Sequence, residues 1–400
     1  LTEKELSSLY RAAAARQNSA MPPLPRLASP SLDDPARRSG APPEPTNHPK
    51  LPQLEDLPPV AGRRVLVRCD FNVPIRKDRV VDDLRIRAAT PTLEWLVRRG
   101  AHVTVCTHLG RPGGRRDRRF DLGPVRDRLA ELVPGVELMD NLRFHAGEEA
   151  NDPCFVDRLV KGQDFYVNDA FATAHREHAS VVGPPSRLPS AAGRLISREV
   201  AVLSALRCSP RRPFVAVIGG DADDEKRDGI RGLTDFVDTV VLGGPVAFDL
   251  MGSLGGFPNE WADLVASARL IMPADIVLRR RDSPGETRVA SEPIAGWEGV
   301  DIGRRAVARI SAVVGGAGTV FWDGAMSTGG HISGTRSVGE VVAGASSFTV
   351  ASGVDTLEAL GRMRLAPFIN HVSTGGAATL AFLRDGDLPG LAAIRRPAPV

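Results

Sequence analysis

Five short segments of this chain together form a series in which cations are placed where a small anion could be gripped. They are Cys69–Pro74, carrying Asp70, Phe71 and Asn72; Asp83–Arg85; His108–Pro112, carrying Leu109, Gly110 and Arg111; Asn141–His145, carrying Arg143; and Asn168–Arg176. Four arginines and one histidine thus recur at the ends of segments that read as strands. A guanidinium is planar and offers paired N–H donors, so several fixed around one point suit a carboxylate or a phosphate. A single arginine after a strand is ordinarily a solvated residue, whereas the series points to a site. A second set is rich in glycine and acid: Gly219 and Gly220, Gly243 and Gly244, Asp323 and Gly324, and Gly353 to Thr356. Glycine allows close backbone approach to a phosphate. Lysine is scarce, and Lys226 is the only one beyond Lys161.

The elements that must position these residues follow from periodicity. Arg64–Cys69 is a short apolar run that reads as a buried strand, and Ala101–Thr107 reads as the next. Between them Ile86, Leu93, Leu96 and Val97 repeat at helical spacing, with Gly100 at a C-terminal cap position. Strand, helix, strand at this spacing predicts a right-handed parallel unit. A second series of strands begins at Pro213, Thr239, Thr319, Ser347 and Asn370, with glycines at the strand ends. Pro189–Arg207 reads as one helix with Ala192, Leu195, Ile196, Val200 and Leu203 on its apolar side. Residues 221–227 read as a helix start, which would put Ala222 and Lys226 on one face. Thr2 and Glu5 suit a capping box for a short helix over residues 1–17, and Ser19–Pro59 reads as a flexible tail that includes His48.

In this order the motifs resemble those of the phosphoglycerate kinase family, from about Gly62 to Arg395. The resemblance implies an α/β fold of two doubly wound parallel-sheet, Rossmann-like domains joined by an interdomain helix, with a central cleft that hinge motion closes against water. The implied boundaries are a flexible extension at 1–59, a phosphoglycerate-binding domain at 60–187, the helix at 188–207, a nucleotide-binding domain at 208–385, and a tail at 386–400 that packs back on the first domain. The implied substrate site is Asp70, Phe71, Asn72, Arg85, His108, Leu109, Gly110, Arg111, Arg143 and Arg176. Asp70 and Asn72 would meet the hydroxyl end, and Arg85 would also lie near the transferred phosphoryl group. Arg85, Lys226 and Gly353 fall on catalytic positions. Arg198, Gly220, Gly244, Asp323, Gly353, Val354, Asp355 and Thr356 fall on nucleotide positions, with Asp355 holding Mg²⁺ and with ATP or ADP as co-substrate.

The nucleotide half departs from the family pattern. Ala222 stands where the family has a lysine beside the migrating phosphoryl group, Asp323 where it has asparagine, and Gly330 where a glutamate binds the ribose. Pro245 and Val354 replace small or flexible residues, and Arg198 replaces a lysine. These changes predict weaker MgATP affinity and reduced turnover. Two other readings therefore remain at this point: a kinase of a related small carboxylic acid, and a phosphoglycerate-binding protein with little turnover.

Composition bounds the rest. The chain has 51 basic and 48 acidic residues for a net charge of +3, and only 5% aromatics, which argues against a nucleic-acid partner. The four cysteines form no CxxC pair, which disfavours zinc and a disulfide framework and predicts reduced, mostly buried thiols. Neither GxGxxG nor a Walker A motif is present, so a dinucleotide site and a P-loop kinase are both poor fits. His102, His145 and His178 read as structural. The expectation is a cytoplasmic monomer acting on small molecules, with no membrane segment.

Overall fold

The computed structural model describes residues 50–252, 264, 265, 267 and 269–396. The predicted N-terminal helix, His48 and most of the predicted tail lie outside the described residues. The chain divides into two units, one holding residues 50–204 and 385–396 and the other residues 205–384.

In the first unit the strands are β1 (Arg64–Arg68), β2 (Ile75–Arg76), β3 (Arg79–Val80), β4 (His102–Cys106), β5 (Glu137–Leu138), β6 (Phe165–Asn168) and β7 (Ser190–Ala192). Five form one parallel sheet in the order β5-β4-β1-β6-β7, and β2 and β3 form a small hairpin. The chain starts at the centre, winds to one edge, and returns to wind to the other. Alternation along β1 divides its side chains between two layers: Val65 and Val67 join one apolar cluster, and Leu66 joins another with Cys106 and Tyr166. The helix Leu84–Arg98 packs on the first of these through Ile86, Ala89, Leu93 and Leu96. It contains Pro91, whose missing N–H frees the Arg87 carbonyl, and the Thr90 hydroxyl donates to that carbonyl at 2.8 Å.

The second unit contains β8 (Phe214–Ile218), β9 (Thr239–Leu242), β10 (Leu270–Ile271), β11 (Ile276–Arg280), β12 (Thr287–Ala290), β13 (Trp297–Ile302), β14 (Thr319–Asp323), β15 (Phe348–Ser352) and β16 (His371–Val372). Six make a parallel sheet in the order β10-β9-β8-β14-β15-β16. Here too the first strand is central, and the chain winds both ways from it. The α/β class and the two doubly wound sheets agree with the sequence expectation. The antiparallel sheet β12-β11-β13 does not appear in that expectation.

Three local expectations are corrected. Residues 50–59 are packed rather than flexible, because Leu51 and Leu54 are buried, Pro52 accepts the Ala192 N–H at 2.8 Å, and Glu55 pairs with Arg194. Pro189–Arg207 is not one helix: Ser190–Ala192 pairs with β6, and the helix is Arg194–Cys208. Small residues there suit a sheet edge, and Gly193 breaks the run where any Cβ would meet Asp169 Oδ1 at 2.2 Å. The third concerns thiols. Cys69 and Cys106 are buried, but Cys154 and Cys208 are exposed. Burial pushes the Cys106 thiol up to about 12.

Asp169 caps the helix Arg194–Cys208 from β6, its Oδ1 accepting the N–H groups of Leu195 at 2.9 Å and Ile196 at 3.3 Å. Burial raises its carboxyl to about 7, against the pull of these donors and of Thr92. The folded chain therefore binds more protons than the unfolded chain between about pH 4 and 7, so this group's contribution to stability falls as pH rises through that window. Asp169→Asn keeps the acceptor oxygen without the charge. It should raise unfolding free energy at about pH 8 by roughly 1 to 3 kcal/mol and change it little at about pH 4. Urea unfolding at both pH values checks this, and an equal effect at both would refute it.

Candidate active site

In an open doubly wound sheet, ligands bind beyond the carboxyl ends of the strands, where the winding reverses. In the first unit that point is beyond β1, between β4 and β6. Asp70 to Asn72 follow β1, His108 to Arg111 follow β4, and Arg176 lies beyond β6.

Asp70 is the hub. Its Oδ2 pairs with Arg85, its Oδ1 accepts the Asn72 N–H at 3.1 Å, and His108 Nδ1 lies 3.7 Å from Oδ1. Burial alone would raise the Asp70 carboxyl, but Arg85, His108 and Arg68 outweigh it and hold it below the usual carboxylate range. His108 is buried and beside Arg68, Arg143 and Arg85, and its pKa falls to about 3. It is neutral at physiological pH. Its tautomer follows from geometry: Arg68 Nη2 lies 3.2 Å from Nδ1 and can only donate, so Nδ1 accepts and Nε2 carries the hydrogen.

The loop after β4 is shaped by hydrogen bonds between these motifs. Gly110 donates its N–H to Asn72 Oδ1 at 2.9 Å and accepts from Arg143 Nη1 at 2.8 Å. It has φ +62°, and a Cβ there would meet the Phe120 ring at 2.2 Å, so glycine is required twice over. Asn141 holds the next turn, its Nδ2 donating to Leu109 O at 2.8 Å and its Oδ1 accepting the Arg143 N–H at 3.1 Å. Arg143 Nε lies 3.1 Å from Glu149. Burial lowers the Arg143 pKa, and the nearby cations Arg68 and Arg176 lower it further, which ties Arg176 to the same cluster.

Two expected residues differ from their assignment. The side chains of Phe71 and Leu109 belong to the apolar core, so they can offer a ligand only backbone atoms. Arg111 is exposed after Gly110, with no ion pair to the others among the described residues. Arg68 was missed by sequence reasoning. Its side chain is 1% exposed, donates to the Cys69 carbonyl and, at 2.8 Å, to Ser180 Oγ, which in turn donates to buried Glu148 at 2.6 Å. A charge in a run of buried valines and leucine was the available signal, because burial demands a partner. His145 is structural, accepting the Gly147 N–H and stacking on Phe155.

In the second unit the corresponding point lies beyond β8, between β9 and β14. Gly220 donates to the Ala325 carbonyl at 2.8 Å, and Gly244 opens the helix Gly244–Gly252. The helix after β8 is Asp224–Leu233, with Asp223 as its cap, its Oδ1 accepting the Lys226 N–H at 2.7 Å. The expected helix start at 221 is therefore too early. Asp223 competes for the backbone as a cap, so Ala222 lies outside the helix and shares no helical face with Lys226. Lys226 reaches the strand end on its own account and pairs with Asp323.

Gly353, at φ +91°, caps the helix Val354–Met363 without a side-chain bond. Val354 takes the first helical position and is 64% exposed. The Thr356 hydroxyl accepts the Gly324 N–H at 2.7 Å and so fixes the turn after β14. Burial raises the Asp355 carboxyl, and Asp221 and Glu358 raise it further. Arg198 is exposed on the helix Arg194–Cys208, in the part that belongs to the first unit.

The phosphoglycerate kinase family model matches residues 54–138 and 134–386. Phosphoglycerate kinase of Parafrankia sp. strain EAN1pec is 39% identical, with 85% of this chain and 99% of that protein covered. That of Rubrobacter xylanophilus is 37% identical, with 83% and 95% covered. The solved phosphoglycerate kinase of Coxiella burnetii superposes with a TM-score of 0.70 at 29% identity, covering 86% of this chain and 99% of that one. Likeness of this extent spans both sheets and every motif described above, and the chain belongs to the phosphoglycerate kinase family.

Proposed function

We propose that the residues of this chain carry out the family's reaction, the reversible transfer of a phosphoryl group between ATP and the carboxylate of 3-phosphoglycerate, giving ADP and 1,3-bisphosphoglycerate. The reaction belongs to glycolysis. The observation that carries the residue assignment is the convergence of Arg68, Arg85 and Arg143 on Asp70 and a neutral His108 beyond β1. A carboxylate nucleophile is already ionised, so transfer needs no general base, and a histidine that stays neutral suits the site. Its Nε2–H is a hydrogen-bond donor for an anionic oxygen. Arg143 and Arg176 supply charge to the substrate phosphate, and Arg85 faces the charge that develops during transfer.

In the transfer a carboxylate oxygen bonds to the γ-phosphorus as the bond to the β–γ bridging oxygen breaks, and ADP leaves with that electron pair. Lys226 is the cation of the second unit for the moving group. Asp355, an oxygen donor in acidic surroundings, would hold the magnesium ion of the nucleotide, which would supply further positive charge. We place the action on small molecules, by a monomer in the cytoplasm; no helix among the described residues is long and apolar enough to cross a membrane.

Binding of 3-phosphoglycerate tests the first unit alone. Arg143→Ala and Arg176→Ala should each weaken it by roughly 1.5 to 3 kcal/mol, the loss of a charge-assisted bond. Unchanged affinity by calorimetry in both variants would place the ligand elsewhere.

A further inference from the structure

The cation of the second unit is already partnered. Lys226 Nζ pairs with Asp323, and both side chains are withdrawn from solvent, 14% and 2% exposed. Asp323 ends the central strand β14, between β8 and β15. Its Oδ1 takes the ammonium, whereas Oδ2 is buried with no hydrogen-bond partner among the described residues. That second oxygen lies against the backbone of Gly353: a Cβ built there would stand 3.2 Å from it. Lys226 Nζ itself stands over Gly220, 3.8 Å from a Cβ built on that residue. The surroundings are acidic. Asp221, Glu358 and Asp323 all push the Asp355 carboxyl up, and Lys226 opposes them.

We propose that Asp323 is a positioning residue that draws Lys226 down onto the strand end and withholds it from an incoming phosphate, so that Asp323 sets the anion affinity of this unit. The inference rests on the reading of the second unit as the nucleotide site. A buried lysine–carboxylate pair has little net charge to offer a third group, and an anion gains the ammonium only by parting the pair. Asparagine has the same shape. It leaves a neutral oxygen to accept from Lys226 and removes the charge that competes with the ligand.

The test is calorimetric titration of MgADP into the full-length wild type, Asp323→Asn, Lys226→Met and the double variant, with circular dichroism confirming the fold of each. Asp323→Asn should bind at least about tenfold more tightly than wild type, and the gain should vanish in the double variant. A purely structural role for Asp323 would not make its effect depend on Lys226. Should Asp323→Asn fail to fold, Asp323→Ser, too short to reach the ammonium, is expected to show the same Lys226-dependent gain. Equal or weaker binding by the folded variant, or a gain that persists without Lys226, overturns the inference. If wild type turns over ATP and 3-phosphoglycerate in a coupled assay while Asp323→Asn binds no more tightly, the inference falls alone. If none of the proteins binds MgADP, it falls together with the nucleotide-site reading.

Discussion

Lys226→Ala should lower kcat by at least about a hundredfold, corresponding to roughly 2.7 kcal/mol of lost transition-state stabilisation. No other lysine occurs beyond Lys161, and Ala222 supplies no charge where the family has one. Lys226 is held at the carboxyl end of the sheet by a capped helix start and by Asp323. The KM for 3-phosphoglycerate should stay within about twofold, because its ligands lie in the other unit. Removing the lysine leaves Asp323 buried without its cation, which costs stability on the order of 3 to 5 kcal/mol. Lys226→Ala combined with Asp323→Asn relieves that cost and should remain equally slow. Steady-state kinetics on both variants decide the matter, and wild-type kcat in the double variant would remove Lys226 from the mechanism.

Arg85→Ala should also lower kcat, by about a hundredfold or more, as for the removal of a guanidinium that faces transferring charge. The Asp70 contact fixes Arg85 on the helix Leu84–Arg98 two residues past its cap, in a half-buried setting that limits its rotamers. Arg85→Lys should recover only part of the loss, since a point charge cannot pair with Asp70 and face an anion with a planar fork. A raised KM for 3-phosphoglycerate with kcat intact would instead make Arg85 a uniform binding contact.

The residues that closely follow strands were legible in the sequence of both units, because short apolar runs mark where the strands end. Asp70, His108 and Gly220 could be placed from Val67, Val105 and Val217 alone. Partners separated by long stretches of chain were not legible. Arg68 finds Ser180 across 112 residues, and Lys226 finds Asp323 across 97, and neither spacing leaves a local signature. The helix start at residue 224 was misplaced because acidic residues suit both a first turn and a cap, and Asp223 takes the cap. The antiparallel sheet was overlooked because β11 and β12 carry arginines at positions that leave little apolar alternation. Ser190–Ala192 was read as helix because small residues suit both states, and only its pairing with β6 decides.

The last described helix, Pro389–Arg395, belongs to the unit that begins at the other end of the chain. It buries Leu391 and Ile394, and its Gly390 donates to the Ala174 carbonyl at 2.8 Å, so close that a Cβ on Gly390 would stand 2.8 Å from Val181. A ribosome therefore delivers the pieces of the first unit at two widely separated times. The intervening residues 205–384 form a continuous stretch that can close on itself as it emerges. The residues of this unit that are made early must wait for the helix Pro389–Arg395, and until then its apolar docking face is open to chaperones and to neighbouring nascent chains.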